Sequence, residues 1–338
     1  MTSYFSQKIL DSRKIAKKSD VHNRASKGLL FSGYYDTETT DLNKRFAEIL
    51  QFAGVTTDLA GNVLHTVDYR GKPSGNNVIS PFAWVVQHLH ERDLEQGDPQ
   101  YVLAGKIAQY FRHLGHLNEA PYTQELLKMC RYTKAKNGFD GYYSYPVLDD
   151  DGEIDWNYLR INENLQKIYV YDAENDTWNK RKCGGISVGY NNVNADDQWI
   201  WTGQHMACME NIFSTHLPQK NLTRLDALRA TEALYSAGQK GENGIKSGTK
   251  KHPITGKEIL SFSQGDVMEA NTHHASQLRG ILEGFTQPDG THVDIDQLHG
   301  ALKDAYALAG WVEFMQQREP ELMQQMENNI NWKDVVDR

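Results

Sequence analysis

The sequence predicts an α/β domain built on a mixed β-sheet, and three observations carry that reading. Strand-like apolar runs occupy residues 28–69. Helical periodicity dominates residues 263–315. Between them, the apolar Gly-rich run Gly184–Tyr190 passes directly into helical sequence, the alternation expected of strands and helices packed in layers.

The first run, 28–35, leads straight into Asp36. Two more strand candidates follow at 49–56 and 62–69. The intervening Asp58-Leu-Ala-Gly-Asn62 has the Gly/Asn chemistry of a hairpin turn, so the three read as a meander. Residues 81–135 are mainly helical by pattern. Residues 138–182 are rich in Tyr, Trp, Asp and Asn and alternate in polarity, and are read as a β-rich insertion. A buried strand at 184–190 comes next, then a helix over about 195–213. The segment 223–228 leads into another helix ending near Gly238. Residues 239–258 are rich in Gly and Lys and read as a mobile loop; they lack P-loop spacing. A helix begins near Ser263, and the last strong helix is expected over 296–315. The expected organisation is a basic lead-in (1–27), one domain (28–320) with an insertion at about 97–182, and a C-terminal tail (321–338).

Composition narrows the functional classes. With 39% hydrophobic and 24% charged residues, the 338-residue chain suits a globular domain with a substantial core. No apolar run approaches the ~20 residues of a membrane helix, and the polar N-terminus does not resemble a signal peptide. A cytoplasmic protein without a membrane partner is expected. Three cysteines without a CxxC pair point to reduced thiols and not to a disulfide framework or zinc site. The net charge of −8 argues against coating nucleic acid through bulk positive charge. It is compatible with a carboxylate site whose bound cations reverse the local sign. Basic residues cluster at Arg13, Lys14, Lys17 and Lys18, and again at Lys180, Arg181 and Lys182. Each cluster is either a phosphate contact or a solvated charged face.

Three motifs carry chemistry. Asp36-Thr37-Glu38 ends the first strand, where residues two apart share a face, so two carboxylates point together. Alone, such a pair is weak, because an acidic chain produces it by chance. Gly189-Tyr-Asn-Asn-Val-Asn-Ala-Asp-Asp197 ends a strand and delivers an acid to a helix start, where a plain N-cap is the bland alternative. His299-Gly-Ala-Leu-Lys-Asp304 puts a histidine near a helix start with an acid further along the same helix. His88, His90 and Glu91 read as exposed helix residues and not as a zinc site. Trp199 and Trp201 read as core or as base-stacking groups.

Taken in order, these motifs resemble those of the DEDDh 3′→5′ exonucleases. Asp36–Leu42 is similar to their first motif and His299–Ala309 to their third. Gly189–Asp197 resembles the second motif of the bacterial exonuclease I nuclease domain, and Ile49–Asp58 and Ser261–Asn271 resemble neighbouring segments there. The resemblance does not extend over 71–183. Ala195 stands where the family usually has Phe, and Asp41 where Gly often follows. The resemblance implies an RNase H-like fold and metal ligation by Asp36, Glu38, Asp196 and Asp304. It implies His299 as general base, two Mg²⁺ or Mn²⁺ ions, and release of nucleoside 5′-monophosphates from single-stranded DNA. Asp196 is preferred to Asp197 because it lies four residues after Asn192, the family's spacing. RNA is the alternative substrate, in an exoribonuclease or proofreading factor, and a non-cutting protein that holds nucleic-acid ends is the reading from another class. For 138–182, the aromatics and the terminal Lys180-Arg-Lys182 suggest a substrate guide, against the alternative of a self-contained aromatic core.

Overall fold

The computed structural model describes residues 10, 12–43, 45–75, 79–81, 83, 91–136, 140–192, 195–207, 223–238, 244–289, 291–298 and 300–329. His88, His90, Cys208 and His299 lie outside them. The main sheet contains β1 (Leu29–Thr39), β2 (Ile49–Thr57), β3 (Val63–Lys72), the two-residue β4 (Asp98–Pro99), β10 (Gly184–Gly189) and β11 (Thr223–Asp226), in the order β11-β10-β1-β2-β3-β4. The meander β1-β2-β3 is antiparallel, while β10 and β11 join the other edge of β1 in parallel. This is the mixed, RNase H-like sheet that the sequence predicts.

Both faces are covered. Alternation along β1 sends Tyr34 to one side and Tyr35 to the other. On the first side lies α9 (Ala301–Arg318), whose Ala305, Leu308, Ala309 and Val312 recur at helical spacing against Tyr34, Val55 and Val188. On the second lies α3 (Gln100–Gly115), whose Leu103, Ile107, Tyr110 and Phe111 pack on Tyr35 and Phe52. All nine residues of β2 are buried, as expected of a central strand between two helical layers.

Residues 131–182 form a separate five-stranded antiparallel meander: β5 (Arg131–Thr133), β6 (Tyr142–Leu148), β7 (Ile154–Asn162), β8 (Lys167–Asp172) and β9 (Thr177–Lys182). One face buries Tyr145, Leu159, Ile161, Ile168 and Val170 in a core shared with Leu30 and Phe31 of β1 and Val21 and Ala25 of α1 (Lys18–Ser26). The expected insertion at 97–182 therefore divides. Helix α3 belongs to the main body because its apolar face seals the sheet, and only 131–182 builds its own sheet.

Three expectations are corrected. The loop expected at 239–258 contains a β-hairpin, β12 (Gly248–Lys251) with β13 (Glu258–Ser261), closed where His252 donates to the Lys257 carbonyl at 2.8 Å. The Gly/Lys-rich composition concealed the pairing of Thr249 with Leu260 and of Lys250 with Ile259. Thr223–Asp226 is an edge strand before α6 (Ala227–Ala237) and not merely a lead-in; Asp226 then caps α6 through Leu228 N at 3.0 Å. The helix expected from 296 begins at Ala301, and a further helix, Pro320–Asn329, follows it within the expected C-terminal tail. A single 3-10 turn at Ile295–Gln297 precedes Ala301, and Gly300 adopts φ +60° between them.

Helix α3 approaches the sheet closely because β2 offers Gly54 beneath Tyr110. A Cβ at Gly54 would stand 2.6 Å from the Tyr110 ring, which is itself held by Phe52 and Phe111. Gly54→Val should therefore lower stability by roughly 1–3 kcal/mol through overpacking. Equilibrium denaturation reads this directly, and a midpoint equal to that of the wild type would refute the close packing.

Candidate functional site

The site is assembled where the C-terminal half of β1 meets the start of α9. Residues 34, 36 and 38 share a face of β1, the face covered by α9. Asp36 and Glu38 thus emerge beside Asp304, which lies in the first turn of α9. Ligand oxygens of Asp36, Glu38 and Asp304 all lie within 4.8 Å of one another. Asp36 and Glu38 are half-buried, whereas Asp304 opens to solvent.

Asp196 comes from the opposite layer and is not one of the three carboxylates whose oxygens lie within 4.8 Å of one another. It is the first residue of α5 (Asp196–Met206), where the helix dipole favours an anion. Its Oδ1 accepts from the Thr37 backbone N at 3.1 Å and from the Thr37 hydroxyl. Thr37 sits between the two acids of the first motif, so the same three residues of β1 present two carboxylates and fix a third. The neighbouring Asp197 turns inward and accepts from the Tyr35 hydroxyl at 2.6 Å; Asn192 donates to that same hydroxyl at 2.7 Å. Thr37 thus holds Asp196, whereas Asp197 braces the core.

Burial dominates the electrostatics. Desolvation raises Asp36 well above the ordinary carboxylate value, with repulsion from Asp196, Asp304 and Glu38 adding to it. Glu38 is pushed up to about 8 by desolvation, then by Asp304 and Asp196, with partial relief from Arg70. Asp196 is raised to about 6 by desolvation, against the lowering hydrogen bonds of Thr37. Asp304 is raised by desolvation and eased by Lys303. An all-oxygen set of mutually repelling carboxylates is the donor chemistry of a hard divalent cation.

Sequence reasoning missed the residue that fixes α9 to the sheet. Gln51, fully buried on β2 opposite Glu38, accepts from Ala301 N at 3.2 Å and donates to Asp68 at 2.7 Å. Gln51 thus satisfies one of the free N–H groups at the start of the helix that carries Asp304. A Cβ at Gly300 would meet Gln51 Oε1 at 2.4 Å, so glycine is required there on both steric and backbone grounds. The available signal was a lone amide inside the buried run Ile49-Leu-Gln-Phe-Ala53, which needs a partner. Of the two tryptophans after the second motif, Trp199 is core and Trp201 is half exposed.

No protein-family model and no curated protein matches the chain. Among solved structures it is similar to a moderately thermophilic exonuclease I from Methylocaldum szegediense, at 18% identity and TM-score 0.52, over 91% of this chain and 45% of that one. It is similar to E. coli exonuclease I in complex with a dT13 oligonucleotide at 16% identity and TM-score 0.51, again over 91% and 45%. The zinc-bound E. coli exonuclease I–single-stranded DNA complex gives the same identity, TM-score and coverage. The chain spans about half the length of these proteins, and at such identities the likeness establishes a shared fold. No described helix is long and apolar enough to cross a membrane.

The raised carboxyls make stability depend on pH in a definite direction. Each keeps its proton in the folded state over a range where the unfolded chain has lost it. Its contribution is complete below the unfolded value near ~4 and disappears as pH climbs through the folded value. In chelator, the Tm should fall between about pH 5 and pH 8.5, and Glu38→Gln should flatten that fall. Identical pH profiles for the two proteins by differential scanning fluorimetry would rule out the coupling.

Proposed function

We propose that the chain is a metal-dependent 3′→5′ exonuclease that hydrolyses single-stranded DNA to nucleoside 5′-monophosphates, its nuclease domain spanning 28–320. The observation that carries this reading is the convergence of Asp36, Glu38 and Asp304, with Asp196 held nearby by Thr37, at the end of the central strand β1 of an RNase H-like sheet. The solved structures of similar fold include exonuclease I bound to single-stranded oligonucleotides, which supports DNA as the substrate.

In this reading Asp36, Glu38, Asp196 and Asp304 hold two Mg²⁺ or Mn²⁺ ions. Four carboxylates balance two dications, which relieves the repulsion that raises Asp36 and Glu38. The bound ions supply Lewis-acid stabilisation of the phosphoryl group and activation of water. The remaining work falls to side chains. Thr37 fixes the rotamer of Asp196 and leaves its second oxygen for ligation. Gln51 sets the depth at which α9 delivers Asp304. His299, two positions before that helix, would take the proton of the attacking water as general base.

Three substitutions separate these roles. Asp36→Ala and Asp304→Ala should each abolish Mn²⁺-dependent release of mononucleotides from 5′-labelled single-stranded DNA while the protein stays folded. His299→Ala should reduce turnover by ~10²–10⁴ and leave Mn²⁺ binding intact by calorimetry. Near-wild-type cleavage by a folded Asp36 or Asp304 variant would refute the site, and lost Mn²⁺ binding in His299→Ala would make that residue a ligand. Duplex DNA and RNA in the same assay define the substrate class.

A further inference from the structure

The five-stranded sheet of residues 131–182 has a second face, and its side chains are unlike those of the first. Pairing puts Arg131, Ser144, Arg160, Tyr169 and Lys180 in register across all five strands, so they share one face. Two positions further along, Tyr142 and Trp178 lie on that face too. Their rings sandwich Arg160, with the guanidinium 4.5 Å from the Tyr142 centroid and 4.0 Å from that of Trp178. Lys167 and Lys182 form the next pair in line. Arg131 stacks over Trp156 at 3.8 Å. The face is thus a layer of cations interleaved with flat aromatic rings.

These cations are not consumed by the protein. Among the described residues, Arg131, Arg160, Lys167, Lys180 and Lys182 form no ion pair, and Arg160 Nε is buried without a hydrogen-bond partner. In the β8–β9 turn, Asp172 and Asp176 are engaged by Asn175, Asn179 and the Tyr171 hydroxyl. The N-terminal basic cluster behaves in the opposite way. Arg13 pairs with Glu125, Lys14 with Glu313 and Lys18 with Asp155. In a chain of net charge −8, unpaired cations gathered on one aromatic surface mark the place where an anionic, ring-bearing polymer fits.

We propose that this face is a binding track for single-stranded nucleic acid, separate from the carboxylate site. Bases stack on Tyr142, Tyr169 and Trp178, while Arg131, Arg160, Lys180 and Lys182 follow the phosphates. The inference deepens the exonuclease reading, since a track away from the scissile end holds the strand while its 3′ terminus is trimmed. The topology fixes the separation. Strand β9 enters β10 at Gly184, which pairs with Leu29 at the start of β1, whereas Asp36 lies seven residues further along β1. At ~3.3 Å per residue that is roughly 23 Å along β1. Only a strand longer than this occupies both places at once.

The test is binding in chelator, without hydrolysis, using fluorescently labelled dT6 and dT30. The double variant K180E/K182E changes two exposed side chains and leaves the buried face alone. It should weaken dT30 binding by on the order of tenfold at moderate salt and lower the slope of log affinity against log salt by about 1.4, from ~0.7 per lost contact on single strands. Binding of dT6, which engages fewer of these cations at once, should fall less than that of dT30. Trp178→Ala should weaken dT30 binding with little change in salt slope, since it removes a stacking surface and not a charge. Unchanged dT30 binding in a folded K180E/K182E protein overturns the track and leaves the face to a protein partner. An equal loss for dT6 and dT30 overturns the separation between track and site. Because no cleavage is measured, an inactive wild-type protein that still shows these length-dependent losses would reject the exonuclease reading and keep the track.

Discussion

The carboxylates at the end of β1 repel one another in a partly desolvated edge, and the surrounding structure is organised to keep them together. Left free, Asp36, Glu38 and Asp304 would rotate apart into water. Asp36 and Glu38 cannot, because β1 is the middle strand of the sheet, paired in parallel with β10 and antiparallel with β2. Asp304 cannot, because its helix is seated by Ala305 against the sheet and tied by the Ala301 N–H to Gln51. Asp196 is held through Thr37, which spends two donors on one oxygen. Each constraint comes from a different element, so the cluster exists only in the assembled fold.

That dependence explains which features could be read from the sequence. The meander, the buried strand at 184–189 and the helix on which Asp304 sits follow from local pattern, because each buries its own apolar period. The association of Asp36 with Asp304, 268 positions apart, has no local signature; only the resemblance of the three motifs suggested it. Gln51 went unremarked because its partner is a helix N-terminus distant in sequence, and amides carry no periodic signal. The hairpin at 248–261 was hidden for a related reason. Its strands are short and exposed, and pairing geometry, not an apolar face, makes them strands.

Basic residues show how composition and structure divide the information. Both basic clusters had the same alternatives in the sequence, phosphate contact or solvated face. The structure resolves the first into ion pairs that lash the N-terminal segment to the body, with Asn62 and Lys14 exchanging two backbone-to-amide hydrogen bonds nearby. Exposed pairs of this kind contribute little stability each. Their consequence is that these cations are neutralised in place. Charge count alone could not separate the clusters, since what matters is whether an acid stands opposite.

The aromatics of the 131–182 sheet are divided between its two faces by alternation. Alternation along β6, β7 and β8 sends Tyr145, Leu159 and Val170 inward to a core shared with β1 and α1. The same alternation leaves Arg160 and Tyr169 outward on those strands. The core on the inner face is thus shared with β1 and α1, not self-contained, and it backs the strands that carry the outer side chains. A two-stranded hairpin would lack a buried side able to order the outer rings. Five strands supply both, and ordering Tyr142, Arg160 and Trp178 beforehand reduces the entropy lost when a ligand stacks on them.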